Sequence, residues 1–136
     1  MAKWLVKSEP FKWSWDEHKA KGVEPWDGVR SHQALGNMRK MAKGDDVMFY
    51  HSNKGLEIVG ICSVVKEYYD DPNDEKSGLV DLKAERDMPA PVTLKEIKAD
   101  GRFDDVALVR QSRLSVMPIT EEHWAMLMAL SEAKAA

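Results

Sequence analysis

Apolar positions recur in two periods along this chain, and the switches between them mark out most of its elements. Trp4-Leu5-Val6-Lys7 reads as a short opening strand. Ser14-Trp15-Asp16-Glu17 matches an S-x-x-E capping box, whose hydroxyl and carboxylate satisfy first-turn N–H groups, so a short helix starts there and Gly22 ends it. Ala34, Leu35, Met38 and Met41 stand at helical spacing and predict a helix over 31–41 that runs into a turn at Lys43-Gly44-Asp45. Residues 47–51 are aromatic and apolar, 52–55 have turn chemistry and 57–69 are rich in β-formers, which together predict a hairpin. Alternation puts Val47, Phe49 and His51 on one face of the first strand and Met48, Tyr50 and Ser52 on the other. Gly60, inside the second strand, predicts a bulge or a close backbone approach.

Residues 70–78 read as an acidic, solvated loop, and 79–84 alternate well enough for another strand. A second capping box at Thr93-Leu94-Lys95-Glu96, with Val92 and Ile97 as a hydrophobic staple, predicts a helix to about Ala99 that Asp100-Gly101 closes. The segment 106–109 leads into a strand with Leu114 and Val116 on one face and Arg113 and Ser115 on the other. Thr120 caps the last helix, Ile119 staples onto Trp124, and Trp124, Leu127, Met128 and Leu130 form its apolar stripe. Five or six strands, helices in the early connections and one closing helix predict an α+β fold: a small, mostly antiparallel β-barrel with helices on its rim.

A chain of 136 residues is one domain, 1–136, long enough for a single core. With 43% hydrophobic and 32% charged residues, extensive disorder is disfavoured. No apolar run approaches the roughly 20 residues of a spanning helix. The N-terminus lacks the apolar core of a signal peptide, so a cytoplasmic protein with no membrane association is expected. The single cysteine, Cys62, lies in an aliphatic strand, which excludes an intrachain disulfide and points to an inert core thiol. Net charge is −3, with residues 1–69 at +2 and residues 70–136 at −5. A protein that grips duplex backbone through many phosphates normally presents a strongly basic face, so any nucleic-acid recognition here must rest mainly on a pocket.

Catalytic and metal signatures are missing. His51 and Ser52 are adjacent and point to opposite sides of a strand, no G-x-S-x-G elbow occurs, and His18, His32, His51 and His123 are too scattered for a metal pair. Neither a cofactor nor a metal is expected. The segment Glu24-Pro25-Trp26-Asp27-Gly28-Val29-Arg30 is different in kind: it sets an aromatic face, an acid, a turn glycine and a guanidinium together on a loop. Such a set suits a flat polar ligand, held by stacking and by hydrogen bonds to its edges. Two readings of Trp26 stand side by side, a stacking surface and a plug at the end of a small core.

Five blocks in order, Trp4-Leu5-Val6-Lys7-Ser8-Glu9-Pro10, Trp26-Asp27-Gly28-Val29-Arg30, Gly44-Asp45 with Phe49-Tyr50-His51-Ser52, Ile58-Val59-Gly60-Ile61 and Val109 to Val116, resemble the EVE domain family over nearly the whole chain. The resemblance implies a PUA-like fold akin to the YTH and ASCH domains, and a surface pocket that receives a modified base of DNA or RNA without catalysis. Carried onto this sequence, the implied base-binding residues are Lys7, Ser8, Trp26, Asp27, Arg30, Tyr50, His51, Ser52, Arg113 and Ser115. A monomer with a nucleic-acid partner is the expected form. The alternatives are an RNA- or nucleoside-processing enzyme of the ASCH kind, with His51 or Lys7 as acid or base, and an accessory domain that binds a protein partner. The chain departs from the family pattern at Ser31-His32-Gln33-Ala34-Leu35-Gly36-Asn37, where relatives carry asparagine and an Ala-Arg-Asn run, and at Gly78-Leu79-Val80, where relatives often place a tryptophan.

Overall fold

In a computed structural model that describes residues 1–136, eleven elements follow one another: β1 Lys3–Ser8, α1 Trp15–Lys21, β2 Val23–Pro25, α2 His32–Lys40, β3 Asp46–His51, β4 Glu57–Asp71, β5 Asp74–Thr93, α3 Leu94–Asp100, α4 Ala107–Arg110, β6 Val116–Ile119 and α5 Glu121–Ala135. Both capping boxes form: Ser14 and Glu17 start α1, Thr93 and Glu96 start α3, and in each the hydroxyl accepts an N–H while the glutamate accepts one from the cap residue. Ser31 and Thr120 cap α2 and α5 through their hydroxyls. These starts are local chemistry, and each falls where the sequence pattern put it.

The six strands form one mixed sheet in the order β2-β5-β4-β3-β1-β6. Four pairings are antiparallel and the fifth, β1 with β3, is parallel. The expected barrel is corrected here, because the sheet stays open: its two ends, β2 and β6, do not pair. The reason lies at the two edges. β2 has three residues and ends at Pro25, which has no N–H to offer a ladder. At the other end, α2 packs beside β6, and Asn37 donates its amide to the Val116 carbonyl at 2.8 Å. A helix therefore covers the edge that a barrel would have closed with a strand. The sheet nevertheless curls strongly, with register shifts along the β4–β5 pair and one at Phe49/Tyr50.

Three further expectations are adjusted by packing. Residues 70–78 are largely strand, joined through a tight turn at Pro72-Asn73, so the supposed solvated loop is a hairpin tip; Ser77 within it is buried. Residues 107–110 form the short helix α4, and the last strand begins only at Val116. On α5 the buried positions are Trp124, Leu127 and Ser131, while Met128 and Leu130 are half-covered. Ser131 docks the helix by accepting the Ala90 N–H and donating to the Ala90 carbonyl, a polar contact that apolar periodicity does not reveal. No helix is long and apolar enough to cross a membrane.

Gly60 meets its expectation fully. A Cβ at this position would lie 2.1 Å from the ring atoms of Trp15, so the indole fits only over a bare backbone. Replacing Gly60 by alanine is expected to destabilise the fold by about 1–3 kcal/mol, the cost of overpacking a rigid core. Thermal denaturation of Gly60→Ala checks this, and an unchanged midpoint would contradict it.

Candidate nucleic-acid interface

The curl brings the C-terminal ends of β1 and β2 to one place, although three strands separate them in the sheet. A cleft of about 430 Å³ opens between them. That is within the ~300–1,000 Å³ range of small-molecule sites. Lys7, Ser8, Glu9, Lys12 and Trp13 line it from the β1 side; Glu24, Pro25, Trp26, Asp27 and Gly28 line it from the β2 side.

Trp26 forms the floor. It is only 7% exposed, its N–H donates to the Val80 carbonyl at 2.8 Å, and its ring meets Phe49 edge-on with centroids 5.4 Å apart. Trp26 closes the core from outside, and the little surface it leaves exposed borders the cleft. The chain then turns at Gly28 with φ of 73°, a backbone state that costs other residues steric strain. The next carbonyl along, that of Val29, is held by the buried Ser77 hydroxyl at 2.9 Å.

Trp13 forms a wall, and its position is set by His18. The Trp13 indole N–H donates to His18 Nδ1 at 3.0 Å, and His18 Nε2 lies 3.0 Å from the Leu82 carbonyl. These two partners fix a neutral imidazole that carries its proton on Nε2. The ring is fully buried, stacked on Trp15 with an interplanar angle of 12° and packed against Trp26 and Phe49. Burial holds its pKa below the ordinary 6.5, against opposing effects of the Leu82 carbonyl and the Glu24 charge.

Polar groups at the cleft differ in how far they are committed. Ser8 donates its hydroxyl proton to the Trp13 carbonyl at 2.5 Å and keeps lone pairs free. Lys7 donates to the Ser112 carbonyl at 2.9 Å and retains two further donor positions; burial lowers its pKa from the usual lysine value. Glu9 is held by Asn53 and Lys12, and Glu24 pairs with Lys21. Asp27 is exposed and has no hydrogen-bond or ion-pair partner, so it is the one unpartnered carboxylate in the cleft.

Of the ten residues read from the sequence as base-binding, Lys7, Ser8, Trp26 and Asp27 thus come together. The other six lie elsewhere. Arg30 points to solvent and pairs with Asp74 at 2.9 Å. Tyr50 is buried beneath the Lys7 ammonium, 5.8 Å from its ring centroid, and burial pushes its phenol up to about 12. His51 accepts the Trp15 N–H through Nε2 at 3.0 Å, at the first residue of α1, and borders a separate recess with Asp16, Glu57 and Asp87. Ser52 contributes its N–H to the Ser8 carbonyl, and Ser115 its carbonyl to the Lys7 N–H. Arg113 borders a second cleft of about 400 Å³, with Ser31 and Gln33 of α2 and with Arg110, which pairs with Asp105. Glu9, Lys12 and Trp13 were not singled out in the sequence. The only local signal was Trp13 two residues ahead of Trp15, which a helix start splits between the outside and the core.

These features define a small α+β domain with a cleft at the ends of two strands, where Trp13 and Trp26 stand among mostly polar residues. The EVE domain model matches residues 2–130, and the chain belongs to the EVE domain family. It is 33% identical to thymocyte nuclear protein 1 of Mus musculus, over 95% of this chain and 73% of that protein. Among solved structures, protein Atu2648 from Agrobacterium tumefaciens is similar with a TM-score of 0.93 and 47% identity, over 96% of this chain and 93% of that one. Human THYN1 protein, solved in complex with 5-methylcytosine containing DNA, is similar with a TM-score of 0.88 and 30% identity, over 97% and 98% of the two chains.

The buried imidazole makes a pH prediction. Because the folded His18 pKa lies below 6.5, the unfolded chain takes up a proton that the folded chain refuses. Its contribution is therefore complete above about pH 6.5 and is lost as the pH falls below it. His51, also lowered by burial, adds in the same direction. In His18→Gln, whose side chain offers one acceptor and one donor, the acid-side loss of stability is expected to be shallower. Urea denaturation across this range checks it, and an unchanged acid slope would contradict it.

Proposed function

We propose that the cleft binds a single modified cytosine of DNA, lifted out of its strand, as a recognition event without chemistry. The observation that carries this reading is the pairing of two indoles, Trp13 and Trp26, with one unpartnered carboxylate, Asp27, in a cleft of about 430 Å³. A pyrimidine is flat, so indole surface matches its faces. Its edge carries the exocyclic amine as a donor, for which a carboxylate is the matching acceptor. Asp27 takes that role; Lys7 donates to a ring carbonyl or to the strand; Ser8 accepts along the same edge. A methyl group at the ring adds apolar area against an indole, which such a pocket senses at about 1–3 kcal/mol. The similarity to a protein solved with 5-methylcytosine containing DNA supports the choice of base and of nucleic acid.

The charge of the cleft agrees with this reading. Lys7 and Lys12 face Glu9, Glu24 and Asp27, so the lining is not cationic and does not select a phosphate. Phosphate contacts fall outside it, and Arg113, exposed beside the Lys7–Ser112 hydrogen bond, is available to the flanking strand. Arg30 has the same role on the β2 side. Tyr50, His51, Ser52 and Ser115 then support the cleft by holding β1, β3 and α1 in place.

Titrating 5-methyl-2′-deoxycytidine, unmodified deoxycytidine and modified deoxyadenosines into labelled protein is expected to shift the amide signals of Ser8, Trp26 and Asp27 most with the methylated cytosine. Asp27→Ala should weaken that binding by about tenfold while leaving thermal stability unchanged, since one base-edge contact is worth ~1–3 kcal/mol. Unmoved signals with every nucleoside would remove the proposal.

A further inference from the structure

Of the five tryptophans, three tyrosines and three phenylalanines, Phe11 alone lies mostly in solvent, at 70% exposure. It does not line the cleft but stands on the turn between two residues that do, Glu9 and Lys12. The turn is pinned from several sides. The N–H groups of Lys12 and Trp13 both donate to the Glu9 carbonyl at 2.9 Å. The Glu9 carboxylate accepts from Asn53 at 2.8 Å and pairs with Lys12 at 3.3 Å. The Ser8 hydroxyl donates to the Trp13 carbonyl, and the Trp13 indole is anchored on the buried His18. Fixed hydrogen bonds therefore hold out a ring that packs against nothing in the core. Phe11 belongs neither to the hydrophobic cluster nor to the side chains packed against it.

The proposed function creates a need for such a group. The cleft has room for a base and none for a duplex, so a cytosine reaches Trp26 only by leaving its stack. That leaves a gap in the duplex, and an inserted apolar side chain stabilises the opened step by stacking on the neighbouring pairs. We propose that Phe11 is this wedge: it enters the duplex at the vacated position while the extruded base occupies the cleft beside it. The inference rests on the base-binding reading and extends it from a nucleoside pocket to recognition of double-stranded DNA. It also fits the acidic protein, because a wedge contributes affinity that does not depend on phosphate neutralisation.

The test compares Phe11→Ala with the unsubstituted protein against two probes, free 5-methyl-2′-deoxycytidine and a short duplex carrying one 5-methylcytosine. Phe11→Ala should bind the nucleoside unchanged and lose about tenfold or more in duplex affinity, the scale of one aromatic–base stack. Phe11→Trp should restore duplex binding. A 2-aminopurine next to the methylated base should brighten with the unsubstituted protein and stay dim with Phe11→Ala. Equal duplex affinity of the two proteins overturns the wedge and leaves the pocket reading standing. Equal losses toward nucleoside and duplex also overturn it, since Phe11 would then act on the pocket itself. If the unsubstituted protein binds neither probe, the base-binding reading fails and the wedge falls with it.

Discussion

One neutral imidazole holds the cleft end of this molecule together. His18 lies where α1, β5 and the cleft wall meet, and each ring nitrogen has a single partner of opposite hydrogen-bonding sense: the Trp13 indole N–H on one side, the Leu82 carbonyl on the other. A protonated ring has no acceptor for Trp13, and the part-buried indole N–H would lose a hydrogen bond worth about 0.5–1.5 kcal/mol. The stack of His18 on Trp15, and the contacts of both with Phe49, carry the same constraint into the centre of the sheet. Trp15 fits only because Gly60 has no side chain. A chain of forced choices thus runs from a bare backbone in β4, through Trp15 and His18, to the orientation of Trp13 at the surface.

The open sheet matters for the same site. A closed barrel would place β2 and β6 side by side and fill the space at the ends of the strands. Here the sheet curls without closing, α2 covers the β6 edge, and the ends of β1 and β2 face each other across a gap. Backbone groups there are satisfied by neighbours from distant parts of the chain. Lys7 N–H reaches the Ser115 carbonyl, Ser52 N–H reaches the Ser8 carbonyl, and Trp26 N–H reaches the Val80 carbonyl. Such cross-links tie the cleft together from distant parts of the chain, and a site held in place before its ligand arrives binds at a lower ordering cost.

Under the proposed function, an acidic protein that meets a polyanion divides its labour. The cleft lining mixes two lysines with three carboxylates and, in the proposed function, reads the hydrogen-bonding edge of a base, while Arg113 and the Asp74-paired Arg30 stand exposed outside it toward the strand. In that reading shape and apolar contact supply the affinity that a cationic surface supplies elsewhere, and they escape the counterion-release penalty that salt puts on phosphate contacts.

The sequence by itself determined every element whose cause is local. Capping boxes at Ser14 and Thr93, the Ser31 and Thr120 caps, the Val47-to-His51 hairpin strand, the Gly60 approach and the Gly28 turn are each dictated by residues within a few positions of one another. The family was legible for a related reason, since its ordered blocks are short and dense in tryptophan, glycine and charged residues. Tertiary structure alone decided what depends on residues far apart in the chain. Whether the sheet closes is set by Asn37 meeting Val116 and by a three-residue edge strand. Which candidates share a cleft is set by the curl, which unites Lys7, Ser8, Trp26 and Asp27 but turns His51 toward α1. His18 reads in the sequence only as one of four scattered histidines because its partners, Trp13 and the Leu82 carbonyl, satisfy it only once the helix docks on the sheet. Spacing records which side of an element a residue takes; it does not record which distant element arrives on that side.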